Sequence, residues 1–83
     1  MVYYVYMLLC DDGSYYTGYA KNVEVRFRQH KRGLGARYTQ MHKPKKIVYV
    51  EKFWTRRDAM HREKAIKQLS RSEKRNLVRS ARG

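Results

Sequence analysis

The sequence predicts an α/β layer of the α+β kind: a single small domain with a three-stranded antiparallel sheet flanked by helices, in the order β-β-α-β-α-α. Three observations lead there. Residues 2–9 (VYYVYMLL) form a short β-branched and aromatic run, followed at once by the turn residues Asp11, Asp12 and Gly13. Two later segments open with helix-capping pairs, Thr55 with Asp58 and Ser70 with Glu73. The whole chain is 83 residues, which is room for one thin core and no second lobe.

Taken in order, residues 2–9 read as a mostly buried strand and residues 14–19 (SYYTGY) as its hairpin partner. A three-residue loop would place Gly13 in a left-handed conformation and make Cys10 and Ser14 the closing pair. Opposed residues would then sum to 24, so Tyr6 faces Gly18, Leu8 faces Tyr16, and Tyr6 and Tyr16 become diagonal neighbours on one face. A two-residue Asp12-Gly13 turn would instead send the two rings to opposite faces. Asn22 is a good N-cap, Glu24 suits the first turn and Gly33 is a C-terminal stop, so residues 22–32 read as a helix. Val23 and Phe27 anchor it to the sheet, and Arg26 and His30 form a second i, i+4 pair beside them. Residues 33–46, rich in Gly and basic side chains and holding the single Pro, read as a loop. Residues 47–54 read as the third strand, residues 55–69 as a long helix and residues 70–81 as a last one.

Charge separates the chain into two parts. Twenty Lys or Arg against seven Asp or Glu give a net +13. Residues 1–20 hold only Asp11 and Asp12, for −2, so residues 21–83 carry +15, while six of the eight Tyr lie in that first quarter. An aromatic platform framed by cations suits a polyanion, most plausibly nucleic acid. With 42% hydrophobic residues the chain is too apolar for a disordered basic tail. No run of about 18 apolar residues is present, so no membrane span is expected. There is no basic n-region of a signal peptide, and Cys10 has no intrachain partner, which together point to a reducing, cytoplasmic setting. His30, His42 and His61 are too dispersed for a Cys/His metal site.

Glu63 is out of place. It falls between Ala59 and Met60 on the face that also carries Ile66 and Leu69, where a carboxylate is costly unless it is paired or binds a metal. A salt bridge to Arg62, Lys67 or a sheet residue would account for it. Grouped with Tyr6, Tyr16, Arg26 and His30, it completes a set that phosphodiester cleavage can use: a base for water, a cation for phosphate charge and a carboxylate for one divalent ion.

Tyr4-Val5-Tyr6, Tyr16-Thr17-Gly18 ten residues on, then Arg26 and His30, then Glu63 on a helix, resemble the GIY-YIG nuclease superfamily. The likeness covers about residues 2–78 of a single domain, 1–83. It is greatest to the small stand-alone bacterial members, related to the nuclease domains of the excision-repair subunit UvrC and of homing endonucleases. The segment GLGARYT (33–39) and the stretch AIKQLS (65–70) belong to that likeness. Tyr4 stands where the superfamily name has glycine, and the tyrosine of the motif is kept. The family's late asparagine has Asn76 as its one candidate.

The resemblance implies catalytic roles for Tyr6, Tyr16, Arg26, His30 and Glu63. Tyr6 would be the general base on water with His30 accepting its proton, Tyr16 would contact the phosphate or a metal-bound water, and Arg26 would hold the scissile phosphate. Glu63 would be the sole protein ligand of one Mg²⁺ or Mn²⁺, an ion that keeps several waters. A phenol titrates near 10, so a lowered pKa, from Arg26, the metal and His30, is expected of the base. Lys31, Arg32, Arg37, Tyr38, Lys45 and Lys46 would track nucleic acid. The implied activity is a metal-dependent endonuclease of low sequence specificity on DNA, perhaps branched, nicked or single-stranded, in repair or recombination, with RNA as a further substrate class and a protein partner as a source of specificity. The rival is a non-catalytic DNA- or RNA-binding module in which the tyrosines stack bases.

Overall fold

The turn after the first strand sets the register of the sheet. In the computed structural model, which describes residues 1–81, Gly13 takes φ +85°, and the loop closes through Cys10 N–H to Ser14 O at 2.8 Å and Gly13 N–H to Cys10 O at 2.9 Å. Strands β1 (Tyr3–Cys10) and β2 (Tyr15–Ala20) therefore pair with Tyr6 opposite Gly18 and Leu8 opposite Tyr16, the register that a three-residue loop requires. Strand β3 (Pro44–Phe53) pairs antiparallel on the other side of β1, giving the order β2-β1-β3.

Strand alternation then divides the side chains between two layers. Val5 and Met7 join Tyr49, Ala59, Ile66 and Val78 in the core between the sheet and helices α3 (Arg56–Lys67) and α4 (Arg71–Ala81). Tyr6 faces the other way, toward helix α1 (Val23–Lys31). The caps form as their residue types require: Asn22 Oδ1 accepts from Val25 N–H at 3.1 Å and Thr55 Oγ1 from Asp58 N–H at 3.1 Å. Ser70 and Glu73 close a reciprocal box at 2.8 and 3.2 Å. Gly33, at φ +76°, ends α1.

The basic segment after α1 is more structured than its composition suggests. Residues 37–41 form a short helix, α2 (Arg37–Met41), and β3 begins at Pro44, three residues before the expected start. Proline is tolerated there because β3 is an edge strand, and Asp11 N–H to Lys43 O, at 2.8 Å, holds the entry to it. The three-stranded sheet with flanking helices stands, with α2 as an added single turn.

Candidate active site

Burial and hydrogen bonding converge on Tyr6. Its side chain is 1% exposed, as is that of His30, and Tyr6 Oη lies 2.8 Å from His30 Nε2. Gly18 lies opposite, where a β-carbon would stand 2.7 Å from Tyr6 Oη, so only glycine leaves room for the phenol. The Tyr6 and Tyr16 ring centroids are 6.3 Å apart, and Tyr16 lies 4.9 Å from the His30 ring. Arg26, one turn before His30 on α1, donates Nη1 to Gln29 Oε1 at 2.9 Å. It lies near enough to Tyr6, Tyr16 and His30 to bias the titration of all three.

Glu63 approaches from α3, on the opposite layer. Its charge reaches both phenols, and its side chain, 20% exposed, has one ionic partner among the described residues, Lys67 Nζ at 3.7 Å. Arg62 points elsewhere and donates Nε to Glu51 at 2.9 Å. Among the described residues no three His, Cys, Asp or Glu gather as a metal cage. One loosely paired carboxylate is a hard-oxygen ligand, and alone it suits a divalent ion that keeps most of its waters better than a closed Zn²⁺ cage.

The protein's own groups do not by themselves lower the phenols. Burial pushes the Tyr6 phenol well above its ordinary range, and Tyr16 adds to the rise while Arg26 only opposes it. Tyr16 is raised by burial too, against a lowering by Arg26. Neither tyrosine rests as a phenolate, because the loss of hydration outweighs the neighbouring cation. The same burial, helped by Arg26, lowers His30 to about 4. His30 is therefore a neutral imidazole near neutral pH, able to accept a proton.

The expected nucleic-acid contacts divide. Lys31 and Arg32 line a groove with His30, Thr39 and Lys43, the last of which sequence reasoning passed over. Arg37 and Lys45 are exposed. Tyr38 stacks between Tyr16, at 6.0 Å, and His42, at 4.2 Å, and His42 Nδ1 donates to Asp12 Oδ2 at 2.5 Å. Lys46 stands opposite Leu9 and lines a different groove, with Tyr15, Arg75 and Arg79 of the α4 side. Asn76 is exposed on α4.

The family model described as the GIY-YIG catalytic domain matches residues 2–76. The chain belongs to the GIY-YIG family. Among relatives of this GIY-YIG domain, a UPF0213 protein of Staphylococcus saprophyticus is 46% identical over 76 residues, spanning 92% of this chain and 93% of that protein. A UPF0213 protein of Staphylococcus aureus is 44% identical over 77 residues, spanning 93% and 94%. Two solution NMR structures are similar. The UPF0213 protein of Bacillus halodurans has a TM-score of 0.60 at 44% identity, over 94% of this chain and 83% of that one. A protein of E. faecalis has a TM-score of 0.65 at 38% identity, over 96% and 85%. GIY-YIG domains are nuclease domains that generally use a divalent metal and act on nucleic acid, and among the described residues no helix is long and apolar enough to cross a membrane.

Proposed function

We propose that this chain is a metal-dependent endonuclease that hydrolyses DNA phosphodiester bonds with little sequence specificity, on substrates such as flaps, branches, nicks or single strands. The observation that carries the reading is the buried hydrogen bond from Tyr6 to a neutral His30, with Arg26 and Glu63 within electrostatic reach. A phenol held above its ordinary pKa is a poor free base but a good relay. As Tyr6 Oη takes a proton from the attacking water, its own proton passes to His30 Nε2, so the phenol stays neutral and the positive charge comes to rest on the imidazolium of His30. The hydroxide attacks phosphorus, the bond to the leaving oxygen breaks, and Arg26 stabilises the charge that builds on the phosphate oxygens. A Mg²⁺ or Mn²⁺ ion on Glu63 would supply further positive charge to that phosphate.

Lys31, Arg32, Arg37, Lys43 and Lys45 give a cationic approach to the tyrosine face, so binding is expected to weaken steeply with salt. A role in repair or recombination accords with such structure-directed cleavage. The test uses supercoiled plasmid and branched, nicked and single-stranded oligonucleotides with Mg²⁺ or Mn²⁺. Cleavage is expected with wild type and lost in Glu63→Ala, Arg26→Ala and Tyr6→Phe, each of which still retards the same DNA in a gel. Full cleavage by Glu63→Ala overturns the reading. Binding without turnover on every substrate and with either ion would favour a binding module built on the stack of exposed Tyr38 on half-buried His42.

A further inference from the structure

The buried hydroxyl of Thr39 has one proton and two acceptors within reach of it. Thr39 is 2% exposed. Its Oγ1 lies 2.8 Å from Ala36 O, to which it donates, and 2.7 Å from His30 Nδ1. Thr39 N–H also donates to Ala36 O, at 3.1 Å, so the first turn of α2 clamps the threonine to that carbonyl. With its proton on Ala36 O, Oγ1 accepts, and the hydrogen in its bond to the imidazole comes from His30 Nδ1. A neutral imidazole has one N–H, so Nε2 is then bare and faces the Tyr6 hydroxyl as an acceptor. The opposite tautomer would turn the Thr39 proton to Nδ1, beside Ala36 N–H at 3.4 Å, and give up the 2.8 Å bond from Oγ1 to Ala36 O.

Gly35 makes this contact feasible. A β-carbon there would stand 2.1 Å from His30 Nδ1, so the backbone lies directly against the ring edge. In the segment GLGARYT the glycine admits the chain, Ala36 anchors the hydroxyl and Thr39 meets the histidine. No other side chain hydrogen-bonds to Nδ1 among the described residues.

We infer that Thr39 is a positioning residue that holds His30 in the Nδ1–H tautomer and so keeps Nε2 free to receive the proton of Tyr6. This rests on the nuclease reading for its consequence but not for its geometry. Outer-shell partners that orient an imidazole commonly change activity by roughly 10- to 100-fold when removed. The experiment therefore has two arms.

Nitrogen-15 NMR of the wild-type imidazole near neutral pH, with no substrate present, is expected to show Nδ1 protonated and Nε2 bare. In Thr39→Val the two tautomers should mix, and Thr39→Ser should restore the wild-type pattern. On a substrate the wild type cuts, Thr39→Val should lower kcat by roughly 10- to 100-fold with KM little changed, and Thr39→Ser should recover most of it. A wild-type spectrum with the proton on Nε2 overturns the inference, as does full kcat in a folded Thr39→Val. Should Thr39→Val fail to fold, the wild-type and Thr39→Ser spectra still decide. Absence of any cleavage by wild type would count against the nuclease and leave the NMR result to judge Thr39 alone.

Discussion

Gly18 pairs with Tyr6 across β1 and β2, and a β-carbon at position 18 would stand 2.7 Å from Tyr6 Oη, 2.9 Å from its Cζ and 3.1 Å from Tyr16 Cε2. The same hairpin register that brings the two tyrosines onto one face thus gives the hydroxyl its room. The phenol cannot swing away freely, because it is buried and bonded to His30 at 2.8 Å.

Gly18→Ala should accordingly separate Tyr6 from His30. An alanine is ordinarily the better strand residue, by roughly 0.5–1 kcal/mol. Overpacking of a closed site costs about 1–3 kcal/mol and should prevail. A misplacement near 1 Å is also expected to lower cleavage by ~100-fold. Urea unfolding and single-turnover cleavage of the variant measure both effects. Wild-type values in both would show that the hydroxyl is not held where the structure has it.

Much of this site could be read from residue types at fixed offsets. Gly13 set the hairpin register, Asn22 and Thr55 set the starts of α1 and α3, and the i, i+4 spacing of Arg26 and His30 set their common side. These are local signals, each resting on a turn or a cap. What escaped sequence reasoning depends on contacts between distant residues. Thr39 reads as part of a basic loop because its partner, His30, lies nine positions away across a Gly turn. Pro44, Lys45 and Lys46 hide a strand that only the pairing of Pro44 with Cys10 and Lys46 with Leu9 creates. The phenol pKa values also turned on a quantity no spacing reveals, the depth at which the two rings are buried.

His30 should make the fold sensitive to acid. Burial, helped by Arg26, holds it at about 4 in the folded chain, against about 6.5 when free. Between those values the unfolded chain binds a proton that the folded chain does not, so stability falls as pH drops through that window and the loss is complete below it. Asp12, lowered mainly by its bonds to Ser14 and His42, adds an acid loss of its own, but one shared by any His30 variant. The urea midpoint of His30→Gln should therefore fall less than that of wild type between about pH 7 and about pH 4.5. Parallel pH curves for the two proteins would mean that His30 is not held neutral by the fold.

Glu51 on β3 and Glu63 on α3 differ in how well they are paired, and that difference predicts which one serves function. Glu51 accepts from Tyr49 Oη at 2.5 Å and from Arg62 Nε at 2.9 Å, whereas among the described residues Glu63 has only Lys67 Nζ at 3.7 Å. Glu51→Gln should cost about 1 kcal/mol, after allowance for a pair more than a third exposed to water. Glu63→Gln should change stability by no more than about 0.5 kcal/mol. A carboxylate that contributes so little to the fold while its charge reaches two phenols is available to a cation, and Lys67 is the charge that competes for it. Lys67→Gln removes an ammonium whose repulsion of an incoming ion is worth on the order of 1 kcal/mol in water-like surroundings. It should therefore tighten Mn²⁺ binding several-fold, as followed by the loss of free-ion signal in electron paramagnetic resonance. Glu63→Gln should abolish that binding in the same titration, and equal Mn²⁺ affinity in wild type, Lys67→Gln and Glu63→Gln would remove Glu63 from the metal site altogether.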